Sequence, residues 1–452
     1  MSESTEKGRD KVMPKAGPAY RVSGDGPWSH AWKVAGALGL LGLVAAGFGY
    51  TVDPRHFAFS WLFAFFVFLT IAMGSLFFVV LQHLVSAGWS VSVRRTAEFF
   101  AVGLPIFALL FVPIYLSREE LYPWLSHGAE HESAERASTE SGIAHAQEHP
   151  TGPEAAGPAR RGVLPDEAAP DVSHHATIAK KHAYLNLSFW SARAVFYFAV
   201  WIILSIAFFT WSTRQDATKD PRWTVRAHAT APVAIILLAL TLTFAAFDWL
   251  MSLDPSWFST IFGVNIWASS MVAMFCTLSL VTLGLKSSGL VGDAINTEHF
   301  HDLGKLTFGF NVFWAYIGFS QMMLIWYASL PEETTFYHMR WQSAGWKAVS
   351  VLVVLGHFVA PFLMLISRHA KRRLTMFGFG TMWLLVMHVV DMYWFVMPHF
   401  RERSFEPHWL DLACLLGIGG IYLAVVFQRM TSHALIPIGD PRLERALGFQ
   451  NA

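Results

Sequence analysis

Cysteine is nearly absent from this chain: Cys276 and Cys414 are its two, each set inside an apolar run. No C-x-x-C or C-x-x-C-H occurs, which argues against covalent haem, iron–sulfur clusters and a disulfide framework. Charge is scarce as well. Acidic and basic residues make up 14% of the chain and nearly cancel, at a net +1 with no basic tail or patch, so no nucleic-acid partner is expected. A Walker loop, a G-x-S-x-G elbow and an H-E-x-x-H helix are also missing, which leaves ATP-driven transport and hydrolysis without support. What the chain has is oil: 54% of its residues are hydrophobic and 15% are aromatic. The mean hydropathy of +0.39 then defines an all-α polytopic membrane protein.

Ten apolar runs reach the length of about 20 residues needed to cross roughly 30 Å of hydrocarbon. They cover 31–50, 57–83, 96–116, 187–212, 229–253, 259–285, 306–329, 343–367, 374–397 and 408–428. The chain thus divides into an N-terminal segment (1–30), spans one to three (31–116), a long connection (117–186), spans four to ten (187–428) and a tail (429–452). The first 28 residues are polar and no small-residue cleavage site follows the first run, so the N-terminus reads as retained. Ten spans put both termini on one side. Loops on that side carry twenty Lys and Arg, against four (Arg55, Arg340, Arg401 and Arg403) in the short loops opposite, which places the termini in the cytoplasm by the positive-inside rule. The connection 117–186 holds eleven acidic and six basic residues and reads as disordered outside the membrane, or ordered only by a partner. Trp124, Trp257, Trp341 and Trp346 fall at span boundaries and read as interfacial anchors.

An internal echo is visible. "FAAFDWLMSLDPSWF" closes span five and "VMHVVDMYWFVMPHF" closes span nine, and in each an Asp precedes a Pro at the same spacing: Asp248 with Pro255, Asp391 with Pro398. Spans two to five and six to nine are then candidates for two four-helix units of like orientation.

Ionisable groups inside spans are expensive, so each needs an account. His388 and Asp391 share a helix face near the outer end of span nine, serving either an interhelical polar contact or a proton or quinol role. Asp248 sits at the outer end of span five. Arg193 in span four is either a counter-ion for Asp248 or Asp391 or a snorkelling residue, and Asp411 in span ten lies at the same end. His357, near the middle of span eight, is either a buried hydrogen-bonding group or a proton relay. On the inner side, His83, Arg94, Arg95 and Glu98 fit the mouth of a proton path, or a positive anchor with Glu98 paired to an arginine. A haem b held between His357 and His388 is disfavoured because their heights along the helices do not match. No metal site is expected: "EHFHD" (298–302) and "HGAEH" (127–131) offer ligand types but read as solvated loops.

Four strings in order, "GWSVSVRRTAEFF" (88–100), "FDWLMSLDPSWFSTIFGV" (247–264), "LGHFVAPFLMLISRHAKR" (355–372) and "MHVVDMYWFVMPHF" (387–400), resemble the ActF subunit family of bacterial alternative complex III, a quinol:cytochrome c oxidoreductase. That family is related to the NrfD and PsrC type of membrane anchors. The resemblance implies two four-helix bundles, spans two to five and six to nine, flanked by spans one and ten, in a bacterial inner membrane. It also implies partners: an NrfD-like sister subunit, a periplasmic iron–sulfur, molybdopterin-like subunit, c-type cytochromes, lipid and a cytochrome c oxidase. Haem and iron–sulfur centres belong to those partners. Quinone or quinol acts at the level of the complex, and the better supported quinol site of the family lies in the sister subunit. For this chain the resemblance implies assembly and a proton route, or a second quinone-related site, through positions such as His357, His388, Asp391 and Asp248. A free-standing secondary transporter and a purely structural scaffold are the alternatives.

Overall fold

A computed structural model describes residues 20–22, 24, 26–125, 180–401 and 404–450. The string at 127–131, most of the 117–186 connection and the first nineteen residues lie outside the described residues. Among those described there is no strand, and ten helices are long and apolar enough to cross a membrane. They are α1 Pro27–Val52, α2 Pro54–Leu84, α3 Val91–Leu116, α4 Leu187–Thr218, α5 Arg222–Leu253, α6 Phe262–Ser287, α7 Thr297–Ala328, α8 Ala344–Leu365, α9 Leu374–His399 and α10 Trp409–Ser432. The protein is therefore a multi-pass helical membrane protein. Both described ends lie at one end of the molecule, where Leu435 N–H donates to Tyr20 O at 2.8 Å and the rings of Trp28 and Phe427 meet at 5.9 Å.

Several helices begin earlier than hydropathy alone predicts, because their polar first turns are capped or neutralised. The Asn296 side chain accepts from the backbone N–H of Glu298 at 2.9 Å and of His299 at 3.2 Å, and His299 reciprocates to the Asn296 backbone. That capping box starts α7 at Thr297, not at 306. The "EHFHD" string is accordingly the first turn of a helix and not a loop, with Glu298 paired to Arg372 and Asp302 to Lys305. Likewise α3 opens at Val91, with Arg94, Arg95 and Glu98 buried inside it.

The boundary tryptophans divide into two groups. Trp341 is exposed, but Trp124, Trp257 and Trp346 are buried, and the latter two pin the segments between spans: Trp257 Nε1 donates to Glu333 O at 3.0 Å, Trp346 Nε1 to Arg401 O at 2.7 Å. An indole N–H buried beside an open carbonyl is worth more there than at a lipid headgroup. Arg340, one of the four residues assigned to the sparse side, is fully buried and donates to three backbone carbonyls, of Phe336, Trp394 and Phe395.

The helix at the centre is α2, buried along almost its whole length and packed against α3, α5, α6 and α10. Helix α1 is peripheral. Its buried residues are Ala35, Gly39, Gly42, Ala46 and Gly49, a stripe of small side chains at alternating steps of four and three, while Leu40, Leu41 and Val44 face outward. The stripe lies along α10 so closely that a Cβ on Gly42 would come within 2.3 Å of Gly417 N, and one on Gly420 within 2.4 Å of Gly39 Cα. In lipid there is little hydrophobic gain from joining two apolar helices, so close backbone approach through small residues supplies the attraction. Gly42→Leu is expected to pry α1 from α10 at a cost of about 2 kcal/mol, read as a lower melting temperature in detergent and as loss of a disulfide crosslink engineered between the two helices.

Candidate functional site

Three of the positions singled out from the sequence come together. His357 on α8 and His388 and Asp391 on α9 are at most 1% exposed, and one polar atom from each lies within 4.8 Å of the others. Sequence heights set His357 and His388 apart; the structure corrects this. Trp346, in the first turn of α8, bonds to Arg401, which lies beyond the end of α9, so α8 starts past the outer end of α9. From that contact the two helices run back to similar heights: eleven residues separate Trp346 from His357, and ten and thirteen separate Arg401 from Asp391 and His388.

A break in α8 aims His357. Residues Val353–Val359 form a π-helical turn, in which Ala360 N–H reaches back five residues to Leu355 O. The cause lies in the sequence: Pro361 has no N–H to continue either ladder. Gly356 O is left without a helical donor and receives Trp383 Nε1 at 2.7 Å instead. His357 stacks on the Trp314 indole, centroids 3.9 Å apart, and neither of its ring nitrogens has a hydrogen-bond partner.

The other two members are held from three helices. Asp391 Oδ2 accepts from Ser269 Oγ on α6 at 2.9 Å and from Trp314 Nε1 on α7 at 3.2 Å, while Oδ1 is buried without a partner. His388 Nε2 meets Thr70 Oγ1 of α2 at 2.9 Å, and its Nδ1 meets Ser269 Oγ at 3.2 Å. These are metal-ligand types, but both nitrogens of His388 are committed to hydroxyls, which makes the arrangement a hydrogen-bonded cluster and not a preformed coordination sphere. Ser269, Thr70 and Trp314 carry no signal in a single sequence, since a hydroxyl in an apolar run ordinarily bonds its own helix.

The remaining candidates lie elsewhere and are paired. Asp248 is gripped by Arg193 through Nε at 2.7 Å and Nη2 at 2.8 Å, and by Tyr197 Oη at 2.8 Å. Of the two carboxylates open to Arg193 from sequence, the structure selects Asp248. Asp411 caps α10 and accepts from Ser60 at 2.5 Å and from Tyr393 Oη at 3.2 Å, with His56 Nε2 at 3.3 Å. At the end where the described residues begin and end, Glu98 is bound by Arg94 and Arg95, each at 2.9 Å. Arg94 also reaches Asp440 at 2.8 Å, Arg95 reaches Asp216 at 2.7 Å, and Arg442 closes on Asp440 at 3.0 Å. Three arginines face three carboxylates and the charges cancel. His83 adjoins this network, buried, its backbone carbonyl accepting from His228 Nδ1 at 2.9 Å and its own Nδ1 unpartnered.

No protein-family model and no curated protein matches the chain. Its chemistry is thus read from geometry: two sets of closed ion pairs toward the ends, and between them a titratable cluster with open valences.

The inner network makes a prediction. Burial by itself would raise the Asp440 carboxyl, but the Arg94 guanidinium, joined by Arg442, outweighs it and holds the group well below the usual carboxylate range. The folded value being depressed, this contribution is present above the ordinary aspartate value and is lost as pH falls through the depressed one. Asp440→Asn is expected to cost about 3 kcal/mol and to release the C-terminal tail at neutral pH, seen as faster proteolysis after Ser432.

Proposed function

We propose that this chain is an integral, redox-inactive subunit of a quinol:cytochrome c oxidoreductase of the alternative complex III kind, related to its ActF membrane subunits, and that its buried His357, His388 and Asp391 form a proton station. Quinol oxidation releases two electrons and two protons; iron–sulfur and haem centres of partner subunits take the electrons, so a subunit without such centres is left with protons and assembly. Its place is a bacterial inner membrane, with the termini in the cytoplasm.

The observation that carries this reading is the cluster's unused capacity. Glu98 and Asp248 are closed by arginines and Asp411 by hydroxyls and His56, whereas here a carboxyl oxygen and both nitrogens of an imidazole are buried without a hydrogen bond to another residue. A polar group left unpaired in a low-dielectric interior is costly, and retention of such groups beside a widened helical turn is the mark of a working site. The helix neighbours fit the architecture the resemblance implies. Helix α2 packs on α3 and α5, and α4 on α5, to make one set of four; α6 packs on α7 and α9, and α8 on α9, to make the other, with α1 and α10 alongside. Asp248 and Asp391 stand at the same spacing before a proline in the sequence, the first closed by Arg193 and the second with one carboxyl oxygen open.

Asp391→Asn and His357→Ala are each expected to lower proton translocation by the purified complex about a hundredfold relative to wild type, with assembly unchanged. Wild-type translocation and turnover in both variants would remove the proton role. Purification of the chain free of haem-containing partners would remove the complex.

A further inference from the structure

His388 and Asp391 have so far been two groups, and a count of hydrogens joins them. Thr70 has one hydroxyl proton, and its oxygen lies 2.8 Å from Phe66 O and 2.9 Å from Val67 O, carbonyls of its own helix. That proton goes to α2. At the 2.9 Å contact with His388 Nε2 the threonine oxygen therefore accepts, and Nε2 carries hydrogen. The tautomer is set from one side, and Nδ1 is left facing Ser269 Oγ at 3.2 Å.

Ser269 also has one proton, and its oxygen stands 2.9 Å from Asp391 Oδ2. Two arrangements satisfy both contacts. In one, Ser269 donates to an Asp391 carboxylate and accepts from Nδ1–H of an imidazolium. In the other, Asp391 is the acid and donates from Oδ2 to Ser269, which donates to a bare Nδ1. They interconvert when one proton passes between Asp391 and Ser269 while a second passes between Ser269 and His388. The O–H and N–H bonds broken equal those formed, and the pair keeps its total charge.

The geometry points to Ser269 as a hydroxyl relay that makes His388 and Asp391 a single proton-holding unit. This rests on the cluster's being a proton station. The titratable group facing the pair from a packed helix is His357 on α8; α2, α6 and α7 present Thr70, Ser269 and Trp314. Trp314 Nε1 donates to the same Oδ2 and fixes the carboxyl plane, so Oδ2 is the oxygen that exchanges with Ser269 while Oδ1 stays free on the other side. Ser269 acts through its neighbours and is a positioning and relay residue.

The test uses the full chain in lipid nanodiscs and infrared difference spectra across pH, with the carboxyl band assigned by its loss in Asp391→Asn and the imidazole bands by their loss in His388→Gln. In the wild type and in Ser269→Thr, which keeps the hydroxyl, acid and imidazole bands are expected to change in one common step. In Ser269→Ala the step splits into two, and proton translocation by the intact complex falls about tenfold or more. A common step retained in Ser269→Ala overturns the relay. If that variant does not regain the wild-type melting profile, Ser269→Cys, of similar volume but a weak donor, takes its place, and a common step there overturns the relay equally. Translocation unaffected by Asp391→Asn would instead sink the underlying proton station, so the two failures are told apart.

Discussion

A hydrocarbon interior offers no hydrogen-bond partner, and every ionisable side chain placed in it must find one on another helix or stay exposed to a cost of several kcal/mol. This constraint organises the molecule. Arg193 and Tyr197 on α4 close Asp248 on α5, and the arginines of α3 are closed by carboxylates from α3, α4 and the tail. The closures that cross between helices, and from α3 to the tail, tie segments that apolar contact alone would leave free to slide, so charge neutralisation and helix register are one requirement.

Helix α2 makes the central cluster possible. It carries no charge over most of its length, and its large aromatic side chains fill the space between the α3–α5 side and the α6–α9 side. At one level it presents Thr70, small enough to let His388 approach and already bonded to its own backbone. A hydroxyl in that condition is a fixed acceptor. The histidine ring is thereby oriented by a helix on which no sequence motif would have drawn attention.

Span number and type were legible in the sequence, because hydrophobic length alone decides them. Helix starts were not, since hydropathy penalises the polar first turns that capping at Asn296 or ion pairing at Glu98 stabilises. His388 and Asp391 could be placed on one face by their spacing, but the arrival of His357 could not be foreseen. Equal rise per residue from the ends of α8 and α9 misjudges their relative slide, which the Trp346–Arg401 contact marks. Ser269, Thr70 and Trp314 were hidden for a related reason: a single sequence gives each helix its own periodicity and says nothing of how neighbouring helices are rotated against one another. The small-residue stripe of α1 is a spacing pattern in the sequence too, but only the structure shows that α10 lies against it.

The wide turn in α8 has a mechanical consequence. An α-helix rotates by about 100° per residue, so one residue inserted into a turn moves everything beyond it to another face. Above the turn the buried stripe runs through Trp346, Ser350, Val353 and His357; below it the stripe resumes at Pro361 and Leu365, a step later than a regular helix would give. The turn is a phase shifter: it turns the buried face of one continuous helix while both parts stay packed on α9, and it puts His357 at the level where one phase gives way to the other.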